Sequence, residues 1–334
     1  MNTKEMVQAV ERMDAATLAK VTHNDDVASA FLSRQLTYVR AATIDVKHAP
    51  LNAFTVFPVQ TEIPVGATTA LQYYYDMIGM AKLIANPADD LPRADIIARE
   101  ASVAVKEFGD SYGYSVSDLE HAAFARIPLS IRKGMAAKKG IDVKLNKLAW
   151  FGDSAAGITG FLDNTNMSVL TLAGDGTGSA TALSTKTPAQ MYRDVTDLIE
   201  SIAINTNETE VADTVLLAPA VYRTLAHTLY ITSNSAGTVI GQTNRTVLEM
   251  LQDQHPEIKR WLKVGELHNG DDTGTMDVMI AGVFDPDYVR FEIPIRFDQR
   301  PVQEKNLEYV VNCRSSSCGV TVFRPYAFTK AIGA

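Results

Sequence analysis

Hydrophobic positions recur at helical spacing in several stretches of this chain and at strand spacing through much of the rest. Met6, Val10 and Met13 fall on one helical face, as do Leu32 and Leu36. Residues 1–40 therefore predict one or two helices, too short to stand alone, that dock on something else. Pro50, Pro58 and Pro64 make 41–67 extended. The stretch TTALQYYYDMIGMAKLIA (68–85) holds the triplet Tyr73, Tyr74, Tyr75, and NPADDLPR (86–93) is dense in turn formers, with Asp89, Asp90 and Arg93. In DIIAREASVAVKEF (95–108), Ala101, Val103 and Val105 alternate with Ser102 and Lys106. The pattern predicts a β-hairpin arm over 68–108, two long strands joined at 86–93. A helix stays open for 95–108, because Ala, Glu, Arg and Lys favour it.

Further along, SVSDLEHAAFA (115–125) starts with a Ser-x-x-Leu-Glu capping pattern and reads as a helix. Past Pro128 a second helix runs from Leu129 to Trp150, with Ala137, Ile141, Leu145 and Leu148 as its apolar stripe. Gly134 and Gly140 weaken it, and Gly152 and Gly157 end it. Residues 173–187 are small, polar and glycine-rich, a loop. Thr187 and Pro188 then open a helix lined by Met191, Val195, Leu198 and Ile202. TVLLAPAVYRTLAHT reads as a buried strand and a short helix, and VLEMLQDQHP as another helix. DVMIAGVF, YVRFEIPIRF, LEYVVNC and GVTVFRP read as strands. The order is α+β, without a βαβ repeat.

At 46% hydrophobic and 21% charged the chain folds around a core. No apolar run reaches membrane-spanning length, so no membrane partner is expected. The N-terminal MNTKEMVQAVERMD lacks signal-peptide character. Two cysteines, Cys313 and Cys318, exclude a disulfide framework and read as reduced thiols near a terminal strand pair. Catalytic patterns fail individually. GDGTG (174–178) lacks the third glycine of a dinucleotide loop, since position 179 is serine. GDSAAG around Ser154 lacks the second glycine of a nucleophile elbow, since position 156 is Ala156. The six histidines are scattered, and HNGDDTGTMD (268–277) reads as a solvated hairpin turn rather than a calcium loop. No catalytic residue, cofactor or metal is expected.

Net charge is −8, which argues against whole-surface attraction to nucleic acid. One segment departs from this balance. Between Arg126 and Lys147 lie seven basic residues, among them Arg132, Lys133, Lys138, Lys139, Lys144 and Lys147, against the single acid Asp142. The segment is either a solvated helix face or a face turned toward a polyanion. The arm also wants a partner surface, because a long hairpin cannot bury both faces by itself.

The order of these parts resembles the major capsid protein of tailed bacteriophages, whose fold encapsulin shells share. YYYDMIGMAKLIANPADDLPRAD resembles the family's extended loop, and GDSYGYSVSDLEHAA its lead into the peripheral domain. NKLAWFGD with AAGITGFLDN resembles the spine helix and the loop after it, with Phe161 where leucine is common. GVTVFRPYAFTKAIGA resembles the closing strand. The resemblance implies an N-terminal arm (1–40), an extended linker and strand (41–67), the extended loop (68–108), and a peripheral domain with the spine helix (109–187). An axial domain (188–300) and C-terminal strands returning to the peripheral domain (301–334) complete it. Tyr73, Tyr74, Tyr75, Lys82, Asp89, Asp90 and Arg93 become candidate inter-subunit residues of the loop. Arg132, Lys133, Lys138, Lys139, Lys144 and Lys147 become a candidate lumen-facing stretch. The implied product is an icosahedral shell of hexamers and pentamers around double-stranded DNA, assembled in the host bacterial cytoplasm and carried in the virion. Its partners would be the chain itself, a portal protein at one vertex, non-specifically held DNA, and candidate scaffold and decoration proteins. An encapsulin-like compartment around a cargo enzyme is one alternative, and a hydrolase using Ser154 or an aspartate cluster is another.

Overall fold

The computed structural model describes residues 47–78, 95–125, 129–233, 239–271 and 273–334. The chain divides into Met1–Pro50 and Leu51–Ala334. The helices expected within 1–40 and the hairpin tip at 86–93 lie outside the described residues, and everything below concerns the second unit.

Three prolines predict extended chain at 41–67, yet a short helix, α1 (Ala53–Val56), forms there. Asn146 supplies the reason. Its Oδ1 accepts from the Ala53 N–H at 2.9 Å while its Nδ2 donates to Glu266 Oε1 at 2.7 Å. The turn buries Ala53, Val56 and Phe57. Strand β1 (Val59–Gln60) follows. Then β2 (Thr69–Ile78) and β3 (Asp95–Ala104) pair antiparallel, Thr69 opposite Ala104 and Ile78 opposite Asp95.

The second strand does not stop at residue 108. After Val105 it continues as β4 (Lys106–Ser115). Phe108, Tyr112 and Tyr114 carried the period-two signal, and Gly109 and Gly113 masked it. Helix α2 (Val116–Ala125) starts from a capping box that Asp118 closes: Ser115 Oγ accepts from the Asp118 N–H at 3.1 Å, and Asp118 Oδ2 accepts from the Ser115 N–H at 3.3 Å.

Helix α3 (Leu129–Phe151) is continuous, and its stripe Ala137, Ile141, Leu145 and Leu148 is buried. The glycines read as weak points face side chains of β4. A Cβ at Gly140 would sit 3.1 Å from Asp110 Oδ2, and one at Gly134 would sit 3.4 Å from Tyr112 Oη. Gly152, at φ +64°, ends the helix. The ladder of β5 (Gly152–Asp153) with β6 (Ile158–Thr159) and then β7 (Ser168–Thr171) follow.

Helix α4 (Pro188–Asn205) has the expected Thr187 cap, reciprocated by Gln190, and buries Met191, Val195, Leu198 and Ile202. The chain proceeds through β8 (Thr214–Leu217), α5 (Pro219–His227), β9 (Leu229–Ser233), β10 (Val239–Thr246), α6 (Val247–Gln254) and β11 (Arg260–Lys263). It closes with β12 (Val278–Gly282), β13 (Val289–Glu292), β14 (Ile295–Gln299), β15 (Gln303–Lys305), β16 (Glu308–Ser317), β17 (Gly319–Val322) and β18 (Phe328–Ile332).

A five-stranded sheet runs β11-β8-β12-β18-β7, with α4 packed on it. Residues 268–277 are therefore a crossover and not the hairpin turn expected: β11 pairs parallel and β12 antiparallel on opposite sides of β8. The physical reason is burial. Strand β8 is buried at every position and needs a neighbour on each side. In a second sheet β16 is central, with β4 along one side and β14 and β15 along the other. Strands β1, β13 and β17 form a third.

Phe57, Trp150, Phe161, Phe284 and Phe328 join α1, α3 and the five-stranded sheet, with ring centroids 4.9–6.0 Å apart. Phe161 touches all four of the others, so the phenylalanine found in place of leucine fills the centre of this cluster.

The glycine-rich loop is held by charge. Lys186, whose side chain is fully buried, pairs with buried Asp194, reaches Asp175 at 3.5 Å and donates to the Ala173 carbonyl at 2.6 Å. Arg193 bonds Asp175 at 2.7 Å and Asp194 Oδ1 at 3.1 Å. GDGTG is thus a turn tied to its own chain. Removing Asp194 leaves the buried ammonium with only the Ala173 carbonyl and the longer Asp175 contact. Asp194→Ala should lower the stability of the free subunit by up to about 3 kcal/mol in a urea melt. The double variant Lys186→Met/Asp194→Ala should recover part of that loss.

Candidate assembly surfaces

The arm is exposed almost to its root. Leu71, Tyr73 and Tyr75 share one face of β2 and are 53%, 54% and 67% exposed; Ile96 on β3 is 60% exposed. A two-stranded ribbon with such a face is not a stable end state in water. Tyr74, on the other face, is half-buried against the body, and burial followed by the nearby Glu292 carboxylate pushes its phenol up. The triplet is thereby split, Tyr73 and Tyr75 outward and Tyr74 inward. Lys82, Asp89, Asp90 and Arg93 lie outside the described residues.

The basic stretch is divided by its contacts. Lys133 donates to the Gly113 carbonyl at 2.6 Å and lies 4.0 Å from Asp118. Lys144 pairs with Asp153 at 2.9 Å, holding that carboxyl below the usual carboxylate range. Arg132 is exposed. Lys138, Lys139 and Lys147 are exposed and have no ion-pair partner among the described residues. Two of the six lysine and arginine candidates therefore serve the fold of α3, β4 and the turn after α3.

Between arm and body lies a groove of about 760 Å³, lined by Tyr74, Tyr75, Arg99, Phe323, Arg324 and Tyr326. Arg324 is fixed by Glu210 Oε1 at 2.9 Å and stacks over Tyr288, whose hydroxyl donates to Glu210. Nothing in the spacing of these residues marks them as neighbours. Near the groove, Glu292 is mostly buried and accepts from Thr321 Oγ1 at 3.1 Å. Burial raises its carboxyl, partly offset by Thr321 and Arg290. Cys313 and Cys318 are both free and buried, and burial followed by Glu292 pushes the Cys318 thiol up to about 12.

The readings that point to enzymes find no geometry among the described residues. Ser154 is exposed and has no histidine partner. His255 pairs with Glu257 and His268 with Asp277, and no three potential metal ligands converge. No described helix is long and apolar enough to cross a membrane.

The Glu292 shift sets a pH dependence. Its folded pKa lies above the unfolded value, so the ionised form is penalised in the fold, and the penalty is relieved as pH falls through the raised pKa. Glu292→Gln should therefore melt at a higher temperature than the parent at neutral pH. The gap should close on acidification, as followed by thermal melts across the carboxylate range.

A model of the major capsid protein family matches residues 79–333. No curated protein matches the chain. Among solved structures, the capsid of Myoviridae Phage XM1 superposes with a TM-score of 0.73 at 19% identity, covering 90% of this chain and 98% of that one. Microbacterium phage Oxtober96 gives a TM-score of 0.59 at 10% identity over 90% of this chain and 96% of that one. The capsid of a native GTA particle gives 0.57 at 13% identity over 89% and 95%. These likenesses show a phage-capsid fold, and with more than half of the sequence matched by the family model, the chain belongs to the major capsid protein family.

Proposed function

We propose that copies of this chain close into an icosahedral shell of hexamers and pentamers around double-stranded DNA. The observation that carries this, beyond family membership, is the arm. It exposes Leu71, Tyr73, Tyr75 and Ile96, which its own subunit leaves uncovered. A neighbouring copy is the natural cover, and a shell needs many such modest contacts rather than one deep pocket. On this reading residues 1–40 are an N-terminal arm, 109–187 the peripheral part and 188–300 the axial part, and the protein works as a structural component of the virion. A portal protein would occupy one vertex. Negative-stain microscopy of the purified protein should show rings or closed shells. A species that stays monomeric by light scattering, at high concentration and at every salt tested, would overturn the reading.

The basic helix gives the shell a surface for DNA. Lys138, Lys139 and Lys147 would face the lumen and meet phosphates without sequence preference. Changing these three to Gln, with Lys133 and Lys144 kept for their structural contacts, should leave empty shells intact. DNA-filled particles should lose heat stability at low salt, and the difference should shrink as salt screens the charges. Equal stability of both versions at low salt would remove the lysines from this role.

A further inference from the structure

The strand that carries the arm has two hydrogen-bonding sides, and individual bonds reveal which residues use which. The Val105 N–H donates to the Thr68 carbonyl at 2.9 Å, so odd-numbered residues of β3 face β2. The Val116 N–H donates to the Leu307 carbonyl at 3.1 Å, in register with the ladder between β4 and β16, so even-numbered residues of β4 face β16. Two half-edges remain: the even residues of β3 and the odd residues of β4.

The molecule treats these half-edges differently. On β4 side chains cap the end of the edge from Ser111 to Ser115, while the outward backbone groups of Glu107 and Gly109 have no partner among the described residues. The Ser111 N–H donates to Asp110 Oδ1 at 2.8 Å, the Gly113 carbonyl accepts from Lys133 at 2.6 Å, and the Ser115 N–H donates to Asp118 at 3.3 Å. On β3 only the outermost group is closed, the Ile96 N–H by Asp95 at 2.8 Å. No described residue bonds the outward N–H and C=O groups of Ala98, Glu100 and Ser102, and all three residues are exposed. Proteins blunt the strand edges that must not pair, and an edge left open is a template for another strand.

We propose that the open side of β3, from Ala98 to Ser102, receives a backbone strand from a second copy of this chain, collinear with β16. A third strand would also turn a marginal ribbon into a stable sheet. The second copy is the occupant because the family's shells are built from copies of the subunit, and the proposal rests on that shell reading.

Hydrogen exchange resolved to single residues, on free subunits and on purified shells, tests it. The Ala98, Glu100 and Ser102 amides should slow markedly in the shell, while the already capped Ser111 amide changes little. Ser102→Pro deletes one outward N–H without touching the ladder to β2. It should leave the melting temperature of the free subunit unchanged and weaken each contact up to about tenfold, the worth of one backbone hydrogen bond. Ser102→Ala, which keeps the N–H, should assemble as the parent does. Should Ser102→Pro misfold, the exchange measurement decides alone. Normal shells with unchanged exchange at Ala98–Ser102 would overturn the proposal while leaving the shell reading standing. Protection that appears only when a different protein is added would overturn the second copy as occupant. If the parent forms no shell, the shell reading falls and this proposal with it.

Discussion

A β-strand has only two sides on which to hydrogen-bond, and the run from Asp95 to Ser115 spends them on different partners. Its first half pairs with β2 and its second half with β16. The arm is thus not a loop tethered to a body but the continuation of a body strand. Everything that orients β4 also orients the arm. Helix α3 lies on that strand through Gly134 and Gly140, and Lys133 reaches from the helix to the Gly113 carbonyl. A side chain at Gly140 would meet the Asp110 carboxylate at 3.1 Å, whereas one at Gly134 would only reach ordinary contact with Tyr112.

Behind α3 the molecule is conventional in its energetics. An aromatic cluster centred on Phe161 joins the helix to the five-stranded sheet, and a buried charge cluster around Lys186 and Asp194 ties the glycine-rich loop to α4. Burial of that ion pair adds little net stability compared with an apolar pair of similar volume, but it penalises any other arrangement of the loop. The surface chemistry follows the same division. Lys133 and Lys144 are taken by the fold, and Lys138, Lys139 and Lys147 are exposed to solvent.

The apolar face of the arm marks this subunit as incomplete by itself. Soluble monomers rarely keep several large apolar side chains exposed on one thin ribbon. Here the exposure coexists with capping of the Ser111–Ser115 part of the β4 edge by Asp110, Lys133 and Asp118. The two treatments of one strand separate contacts that assembly can use from contacts that would lead to indiscriminate pairing.

Local pattern by itself determined much of this protein. The stripes of α3 and α4, the Thr187 cap, the buried run at Thr214–Leu217 and the two strands of the arm all follow from spacing and residue type, because those signals act within a few residues. The family was legible for the same reason, in the order of short motifs. Tertiary structure alone decided the rest. Residues 106–115 became a strand because β16, some two hundred positions away, offered a full ladder that outweighs two glycines. The α1 turn needed Asn146, and the crossover at 268–277 needed β8 to be central. Likewise the division of Tyr73, Tyr74 and Tyr75 between solvent and body, and the taking of Lys133 and Lys144 into structural contacts, depends on which surface lies opposite. Contacts between distant positions leave no periodicity in a single sequence, so only the folded chain reveals them.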